Sequence, residues 1–293
     1  MDIVITYVNG LDPLWQQDYQ QHTNIPILEK RFRDWGTLQY LFRGIEINMP
    51  FIRKVHLIVA RESQVPHWIN RDTVNVVMHK DIIPEQYLPT FNCNPIEMNL
   101  HRIEGLDEEF IYFNDDIFPV APCKPSDFFT NGKPMIGYSR HFMVMNMFKN
   151  ICRNSDRAAR KALGMRPSLC FTRPQHVCMP LLKSQCNKLY EILSEEIAET
   201  SSHKVRTKDD LNEYMFLNYM NYQGMVIHKR ISKKHFSASV ATGSKLKSFL
   251  LKPTHTFVCI NDVQLTDEKY NELRQAVIDA FEQTMPEKSK FEK

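Results

Sequence analysis

The chain has 293 residues, and its 37 Lys and Arg side chains nearly balance 34 Asp and Glu, which gives a formal net charge of +3. Hydrophobic residues make up 43% of it and charged residues 24%, which indicates a globular rather than a disordered protein. This charge balance argues against a protein that coats nucleic acid, and we expect no nucleic-acid partner. No run approaches the ~20 apolar residues that a membrane-spanning helix needs.

Two features of the sequence predict where the protein resides. Met1 leads directly into a strand-like run, without the basic, apolar and small-residue regions of a secretory signal. The seven cysteines are odd in number and scattered, which indicates reduced thiols and a cytoplasmic location. The cysteines and the histidine between positions 170 and 186 lack the short paired spacing of a structural zinc site.

Five apolar runs rich in β-branched residues each end in a polar cluster. In chain order they are DIVITYV before NGLDP, VHLIVA before RE, VNVVM before HKD, FIYF before NDD, and TFVCI before ND. Runs of this kind predict strands that are buried on both faces of a parallel sheet. The ligand site of such a sheet lies beyond the carboxyl ends of its strands, so we expect the polar clusters to converge on one rim.

Helical spacing of apolar residues predicts the elements between and after these strands. In the first half, Leu38, Leu41 and Ile45 share one face of a helix that ends near Pro50. The predicted helices of the second half cover residues 179–198, 209–222 and 267–283. The alternation of strands and helices predicts an α/β fold whose second half is more helical.

Missing motifs narrow the function classes. The chain has nine glycines and lacks both the Gly-x-Gly-x-x-Gly fingerprint and a Walker-type loop, which argues against dinucleotide oxidoreductases and P-loop kinases. It also lacks a Gly-x-Ser-x-Gly nucleophile elbow and a His-Glu-x-x-His zinc helix, which argues against the corresponding hydrolases.

The strongest chemical signal is Asn114-Asp115-Asp116 at a predicted strand end. Two adjacent carboxylates can bind a hard divalent cation through oxygen, and Mg²⁺ commonly bridges such groups to a substrate phosphate. A turn or a helix cap is the alternative, since Asn and Asp are favoured there too. Asn261 and Asp262 follow another apolar run and favour the interpretation as a site for a metal and a diphosphate.

A second signal is Glu97 with His101-Arg102, on a predicted helix just before that strand. A spacing of four places Glu97 and His101 on one helical face, where the carboxylate could orient the imidazole. A structural polar pair is an equal alternative. Arg43 and Glu46, three apart on the first helix, form either a surface pair or part of the site rim.

Histidine and basic residues of the second half supply the third signal. His176 ends the sequence RPQH, and a lone histidine is more often structural than catalytic. Arg140 and Arg206 are also ambiguous alone, although a guanidinium matches the oxygens of a phosphate. The basic residues between positions 228 and 235 predict a solvated surface, with an anionic substrate or a membrane surface as alternatives.

Four blocks of the sequence resemble, in order, the conserved regions of the Stealth family, which includes bacterial capsular polysaccharide phosphotransferases and the catalytic subunit of animal GlcNAc-1-phosphotransferase. The first two are DIVITYVNGLDP from Asp2, and RFRDWGTLQYLFRGIE from Arg31 with VPHWIN, LPTFNCNPIEMNLHRIEGL and FIYFNDDIF. The last two are His176 with HKVR at 203–206, and FVCIND at 257–262, before the closing MPEKSKFEK. The resemblance covers nearly the whole chain.

The resemblance implies one Stealth-type catalytic domain over residues 1–293. Its expected core is GT-A-like or Rossmann-like, with a mainly parallel sheet flanked by helices. The expected parts are a nucleotide-sugar half over 1–120, a helical substrate-side region over 135–235, and a strand and helix over 245–293 that return to the core.

The resemblance also implies a reaction. A UDP-sugar, such as UDP-GlcNAc, gives its hexose-1-phosphate to a hydroxyl of an acceptor glycan, which forms a phosphodiester and releases UMP in capsular or cell-surface polysaccharide synthesis. A cofactor, Mg²⁺ or Mn²⁺, is expected to neutralise the diphosphate. The expected partners are the nucleotide-sugar donor and the acceptor glycan. Peripheral attachment to the inner face of a membrane through the basic segment at 228–235 stays open.

Residue roles are carried over by position. His176 would be the general base, Asp116 would act at the reacting phosphate, and Arg140 and Arg206 would hold the oxygens of the transferred phosphate. The expected metal ligands are Asp115, Asp116, Asn261 and Asp262. The expected substrate-binding residues are Asn9, Gly10, Arg43, Glu97, His101, Arg102 and Asn114.

Two other function classes remain open at this stage. A metal-dependent glycosyltransferase would use the same carboxylates but break the bond between the sugar and oxygen, and would release UDP. A non-catalytic glycan-binding or nucleotide-binding module would bind ligand without turnover. The released nucleotide distinguishes the three classes.

Overall fold

A computed structural model describes residues 1–27 and 32–293 of the chain. Arg31, with which the second resembling block begins, lies outside the described residues. The strands are β1 (Asp2–Thr6), β2 (Lys54–Val59), β3 (Val74–Met78), β4 (Glu109–Asn114), β5 (Ile117–Pro119), β6 (Phe129–Thr130), β7 (Lys133–Ile136), β8 (Tyr138–His141), β9 (Phe171–Pro174), β10 (Met179–Leu182), β11 (Ile227–His228), β12 (Lys233–Ser237) and β13 (Phe257–Asn261).

Helices follow the same chain order within the described residues. They are α1 (Pro13–His22), α2 (Leu38–Asn48), α3 (His79–Ile82), α4 (Cys93–Met98), α5 (Met147–Ala162), α6 (Lys183–Ile192), α7 (Ser194–Ser202), α8 (Tyr214–Tyr222), α9 (Gly243–Leu251) and α10 (Asp267–Thr284).

The central sheet has the strand order β10-β4-β1-β2-β3. Strands β4, β1, β2 and β3 run parallel to one another, and β10 pairs antiparallel with β4. The apolar side chains of β1, β2 and β4 are buried because helices and loops cover both faces of the sheet. The predicted α/β fold with a mainly parallel sheet and flanking helices is therefore confirmed.

Helix α2 covers one face of this sheet. Its predicted apolar stripe is buried, including Leu41 and Ile45. Gly44 lets the helix approach the end of β5, because a Cβ atom there would lie 2.6 Å from the carbonyl oxygen of Pro119. The sequence pattern therefore predicted both the helix and the face that it buries.

One predicted helix begins too early. The segment Met179–Leu182 is strand β10 rather than the first turn of a helix, and α6 begins only at Lys183. All four residues of β10 are buried against β4, so pairing with the sheet outweighs the helical spacing. The predicted helix over 209–222 forms from Tyr214, and the last helix ends at Thr284 as expected within one residue.

Two smaller sheets bring the second half of the chain to the carboxyl ends of the central strands. Strand β13 lies between β12 and β5, and the backbone N–H of Ile260 donates to the carbonyl of Asp116 at 2.9 Å. Strands β8 and β9 pair antiparallel, with Ser139 opposite Arg173. No helix in the described part of the chain combines the length and apolarity needed to cross a membrane.

Candidate active site

A cavity of about 1000 Å³ opens at the carboxyl ends of the central strands. Thr6 at the end of β1 is paired with Asn114 at the end of β4, so the segments that follow both strands meet there. The predicted rim is therefore present for the polar clusters that follow β3, β4 and β13, whereas the clusters after β1 and β2, which include Asn9 and Gly10, do not line the cavity. The charged and titratable residues that line it include Arg33, Asp34, His79, Glu97, Asp115, Asp116, Arg173, His176, Arg206, Glu213, Arg230, Lys233, His235 and Asp262.

Asp115 and Asp116 lie in the turn between β4 and β5 and face this cavity. Loss of hydration raises the pKa of Asp115 to about 7, and the nearby carboxylates of Asp116 and Asp34 add to this shift. The Asp115 side chain is open to the cavity although protein surrounds it, so its loss of hydration is only partial. Burial likewise raises the pKa of Asp116 to about 6. The charge of nearby Lys233 partly opposes this shift at Asp116.

Few protein donors contact the Asp116 carboxylate. Its Oδ2 atom lies 3.5 Å from the Cys259 thiol, and its buried Oδ1 atom has no hydrogen-bond partner among the described residues. A buried carboxylate oxygen without a donor is costly, and in native proteins such atoms usually meet a ligand or a metal. Asp116 is therefore the member of the pair best suited to bind a cation.

His176 lies beside Asp116. One ring nitrogen of His176, one carboxylate oxygen of Asp116 and the Cys259 sulfur all lie within 4.8 Å of one another. The Nδ1 atom of His176 is 3.3 Å from the Tyr214 hydroxyl. Burial, together with nearby Lys233 and other cations, lowers the pKa of His176 to about 3, so the imidazole is neutral and can accept a proton.

Basic side chains surround this histidine. Lys233 donates through Nζ to the His176 carbonyl, and burial lowers the pKa of Lys233. Arg173 lines the cavity from β9, and its buried Nε atom has no acceptor among the described residues. Arg206 reaches the cavity beside Cys93 and near the carboxylate of Glu97. Cationic donors of this kind match the oxygens of a phosphate, and the Nε atom of Arg173 is the one that has no partner among the described residues.

A hydrogen-bonded chain joins the strand ends below the cavity. Asn114 donates through Nδ2 to the Tyr112 hydroxyl at 3.0 Å, and that hydroxyl donates to Glu97 at 3.1 Å. Glu213 lies next to Glu97, and burial together with that neighbouring carboxylate raises the pKa of Glu213 well above its usual range. The chain fixes Glu97 at the wall of the cavity, where Arg206 offers the nearest positive charge.

Comparison with known proteins gives consistent matches. A family model described as "Stealth protein CR2, conserved region 2" matches residues 31–136, and one described as "Stealth protein CR3, conserved region 3" matches residues 175–223. The receptor polysaccharide phosphotransferase WefC of Streptococcus oralis is 30% identical over 332 residues, which cover 100% of this chain and 99% of the relative. The chain belongs to the Stealth family.

Two further comparisons extend this result. The capsular polysaccharide phosphotransferase fcs1 of Haemophilus influenzae is 32% identical to this Stealth protein over 298 residues. The match covers 92% of this chain and 80% of the relative. Among solved structures, the galactosyltransferase LgtC superposes with a TM-score of 0.46 at 11% identity, covering 94% of this chain and 96% of LgtC. A likeness that weak supports no conclusion about fold or reaction.

The two matched Stealth regions meet at the cavity. Region two contains Asp115 and Asp116, and region three contains His176 and Arg206. More than 50 residues separate these pairs along the chain, and the sheets described above bring them to one wall. The predicted meeting of His176 with Asp116 is thus present in the structure, while the roles of both residues stay predictions.

Other predicted site residues of this Stealth protein lie away from the cavity. Arg43 is buried and donates to both carboxylate oxygens of Glu292, at 2.9 and 3.0 Å, and to the carbonyl of Met285. These contacts tie α2 to the end of the chain. Arg43 therefore holds the fold together and is not at the site rim, and both alternatives that the sequence left open for it were wrong.

His101 is buried in an aromatic environment. Its ring centre lies 4.9 Å from that of Tyr190, and burial lowers the pKa of His101 to about 4. The residue belongs to a 3₁₀ turn over Leu100–Arg102, not to the helix that carries Glu97, and Arg102 is exposed. Neither His101 nor Arg102 lines the cavity, so their predicted substrate contacts are not supported by this geometry.

Arg140 is exposed on β8 and does not line the cavity, whereas its neighbour Ser139 does. Neighbouring side chains on a strand point to opposite faces, which explains why Arg140 turns away. Arg173, opposite Ser139, lies where the sequence placed Arg140. The arginine of this strand pair that lines the cavity is therefore Arg173 of β9, and not Arg140 of β8 as predicted.

Asn9 and Gly10, which were predicted to bind substrate, follow β1 but do not line the cavity, and their contacts hold the loop in place. The Asn9 backbone N–H donates to Gln64 at 2.6 Å, and its carbonyl accepts from the Gln64 amide at 3.0 Å. A Cβ atom on Gly10 would lie 2.4 Å from the Phe32 carbonyl oxygen. Gly10 thus allows the loop that carries Phe32 to pack close and form part of the cavity wall.

Two metal ligands were predicted at the end of β13, Asn261 and Asp262, and their surroundings differ. Asn261 lines the cavity at the end of the strand. The Asp262 carboxylate already accepts from Trp35 at 3.0 Å, from Arg33 at 3.3 Å and from the Val263 backbone at 2.7 Å. Asp262 therefore anchors the loop around Trp35 and is poorly placed to bind a metal.

Sequence reasoning missed several cavity residues, namely Asp34, Arg173, Glu213, Tyr214, Arg230 and Lys233. Arg173 and Lys233 lay within motifs already noted, RPQH and the basic segment at 228–235, but nothing local marked them as facing a ligand. Their position depends on strand pairings between distant segments. The sequence did offer a weak signal, because Arg173 lies three residues before His176 and Lys233 lies within the basic segment at 228–235.

Proposed function

We propose that this chain transfers a hexose-1-phosphate from a UDP-sugar to a hydroxyl of an acceptor glycan, releasing UMP, in the synthesis of a capsular or cell-surface polysaccharide. The observation that carries the proposal is the meeting of a donor-poor carboxylate, Asp116, and several cations around one neutral histidine. The relatives named as polysaccharide phosphotransferases, which align over the whole chain, support the same chemistry.

The residues present fit a divalent cation. Asp115 and Asp116 offer oxygen ligands, which Mg²⁺ prefers, and the buried Oδ1 atom of Asp116 lacks a donor. Asn261 could add an amide oxygen from the facing strand. Bound there, Mg²⁺ or Mn²⁺ would neutralise charge on the diphosphate. Cys259 is not expected to take part, because its buried thiol stays protonated and Mg²⁺ binds thiols weakly.

His176 is positioned to take the proton of the acceptor hydroxyl. With its own proton on Nδ1 and directed at the Tyr214 oxygen, the Nε2 lone pair is free to accept another. Removal of that proton lets the hydroxyl oxygen attack the β-phosphorus while the bond from that phosphorus to the bridging oxygen of UMP breaks. A positioned base contributes about 10²–10⁴-fold to such a step.

The cations around His176 explain how a weakly basic imidazole can do this. Within the protein, burial and the charges of Lys233, Arg173 and Arg206 all disfavour protonation of His176. A bound diphosphate would pair with these cations and cancel their effect. We expect His176 to become more basic when the donor is bound, so that proton acceptance and donor binding are coupled.

The proposal is tested by the identity of the released nucleotide. Purified protein is incubated with a panel of UDP-sugars, Mg²⁺ and candidate oligosaccharides, and nucleotides are separated by chromatography. Phosphotransfer predicts UMP in amounts equal to the phosphodiester product, and removal of divalent cations by a chelator should stop its release. Release of UDP would instead identify a glycosyltransferase, and ligand binding without turnover would identify a binding module.

A further inference from the structure

An exposed apolar patch lies beside the mouth of the cavity. Four members are strongly exposed: Phe142 at 66%, Met143 at 63%, Met145 at 74% and Leu169 at 84%. Met147 at the start of α5 adds a fifth apolar side chain that is 39% exposed. Contiguous exposed apolar surface on a folded protein usually marks an interaction site.

The strand pairing brings three of these residues together. Phe142 and Met143 directly follow β8, Leu169 lies just before β9, and the last residue of β8, His141, pairs with the first residue of β9, Phe171. The same strand pair carries Ser139 and Arg173 into the cavity wall. At ~3.3 Å per residue, Phe142 lies about 10 Å along the strand from Ser139.

The segment that bears the patch is strongly basic. Residues 140–173 contain eight Lys and Arg residues and one acidic residue, whereas the whole chain has a formal net charge of only +3. The acidic residue, Asp156, is buried and bonded to Arg160. Lys161 pairs with Glu196. Within the described residues, the cations of this segment that lack a carboxylate partner are Arg140, Lys149, Arg153, Arg157, Arg166 and Arg173.

We propose that this surface, formed by the ends of β8 and β9 and by α5, docks on an anionic lipid bilayer. Exposed Phe, Met and Leu side chains can enter the boundary between headgroups and acyl chains, and surrounding Lys and Arg are attracted to anionic headgroups. A docking protein surface of ordinary composition would not need five cations that lie outside the cavity and lack a carboxylate partner among the described residues, in the segment that carries the apolar residues. Charge and apolarity together therefore favour the bilayer.

This surface differs from the basic segment at 228–235. Arg230 and Lys233 of that segment line the cavity, and Lys233 contacts the backbone of His176, so they are not free for a membrane. Docking through the β8–β9 ends would hold the cavity mouth near the headgroups. Under the proposed function, an acceptor glycan anchored to a lipid could then reach the site, and this last consequence alone rests on that function.

The test is co-sedimentation with vesicles, without donor or acceptor. Vesicles of phosphatidylcholine alone are compared with an equal mixture of phosphatidylcholine and phosphatidylglycerol. We expect about tenfold stronger partitioning onto the anionic vesicles, and loss of most of it when ionic strength rises from about 0.1 M to about 1 M, since the Debye length falls from about 10 Å to about 3 Å.

Two pairs of variants separate the two contributions. Phe142→Ser/Leu169→Ser should weaken binding to anionic vesicles about tenfold, and Arg157→Glu/Arg166→Glu should weaken it at least as much. The control for the apolar pair is Val240→Ser, because Val240 is 80% exposed and lies outside the patch. The control for the charge pair is Lys245→Glu/Lys252→Glu, which reverses two exposed charges on and just after α9. Both controls should bind like the native chain.

Three outcomes would overturn the inference. They are no binding to anionic vesicles, equal binding to neutral and anionic vesicles, and a native dimer in light scattering that Phe142→Ser/Leu169→Ser converts to a monomer. The last would show that a second copy covers the patch. Because the assay contains no substrate, its failure leaves the proposed reaction untouched, and failure of the reaction leaves this result untouched.

Discussion

At the amino end of the central sheet the buried Asp2 is surrounded by donors, whereas Asp116 at the carboxyl end has almost none. The Oδ2 atom of Asp2 accepts from Arg53, from the Asp107 backbone at 3.0 Å and from His56 Nε2 at 3.1 Å. Burial would raise the pKa of Asp2, but these hydrogen bonds outweigh it and lower that pKa.

Both aspartates flank parallel strands of one sheet, so the sheet itself does not cause this difference. The buried Oδ1 atoms of both residues lack a hydrogen-bond partner among the described residues, but the Oδ2 atom of Asp2 has three donors from within the chain, which makes Asp2 a structural group. The Oδ2 atom of Asp116 has only the weak Cys259 thiol as a donor, and burial raises the pKa of Asp116 although the charge of nearby Lys233 partly opposes the shift. A buried carboxylate with few hydrogen-bond donors is tolerated at the carboxyl end of the sheet, where ligand binds, because the bound ligand or metal supplies the missing positive charge.

The largest expected effect comes from Asp116→Asn. Turnover should fall on the order of 10³-fold, because the variant loses the negatively charged ligand that would hold the metal ion at the reacting phosphate. The free energy of unfolding should stay equal or rise, since an uncompensated carboxylate is removed. Steady-state kinetics and thermal melting measure the two quantities. A strong loss of stability would place Asp116 in the same structural class as Asp2.

His176→Ala should reduce turnover by about 10²–10³-fold while donor affinity and melting temperature change little, since the side chain faces the cavity. Tyr214→Phe is the matched control for the partner of Nδ1 and should cost much less. Turnover is measured at saturating donor and acceptor. Near-normal turnover of His176→Ala would show that another group accepts the proton.

Asp2→Asn should show the opposite behaviour to Asp116→Asn. It should lower the free energy of unfolding by about 2 kcal/mol, because Arg53 and His56 lose a charged acceptor, and leave turnover per folded molecule unchanged. Denaturant titration measures the loss. A fall in turnover without a loss of stability would break the comparison between the two ends of the sheet.

The same variant has a predicted pH dependence. The pKa of Asp2 is lowered from its ordinary value of 3.8, so its stabilisation is present above that value and is lost as pH falls through the lower folded-state pKa. The stability difference between the native chain and Asp2→Asn should therefore persist at neutral pH and shrink below about pH 4. A difference that stayed constant into acid would show that the ionised carboxylate is not its source.

The smallest effect separates two arginines on paired strands. Arg173→Ala should lower kcat/KM for the donor about tenfold, because a cation with a free donor leaves the cavity wall. Arg140→Ala should change it less than about threefold, because that side chain points to solvent. The reverse order would restore the role that the sequence assigned to Arg140.

The sheet and its ligand edge followed from the sequence, because they depend on local apolar runs and on a general rule about parallel strands. The roles of Asp116 and His176 at one site were expected only from the resemblance to the Stealth family, since a lone histidine carries no local signal of a site. The role of Arg43 did not follow from the sequence, since its partner Glu292 lies at the other end of the chain and leaves no local pattern. Strand β10 was missed because a buried run of four apolar residues has no distinctive periodicity.

The central claim is that the carboxyl edge of the sheet transfers a phosphoryl-linked sugar. The most direct measurement uses a UDP-sugar radiolabelled at the β-phosphorus, with the native chain and Asp116→Asn compared side by side. We predict that the native chain moves the label into the acceptor glycan and leaves unlabelled UMP, while the variant moves almost none. A label that stays in UDP while the sugar moves to the acceptor would contradict the claim.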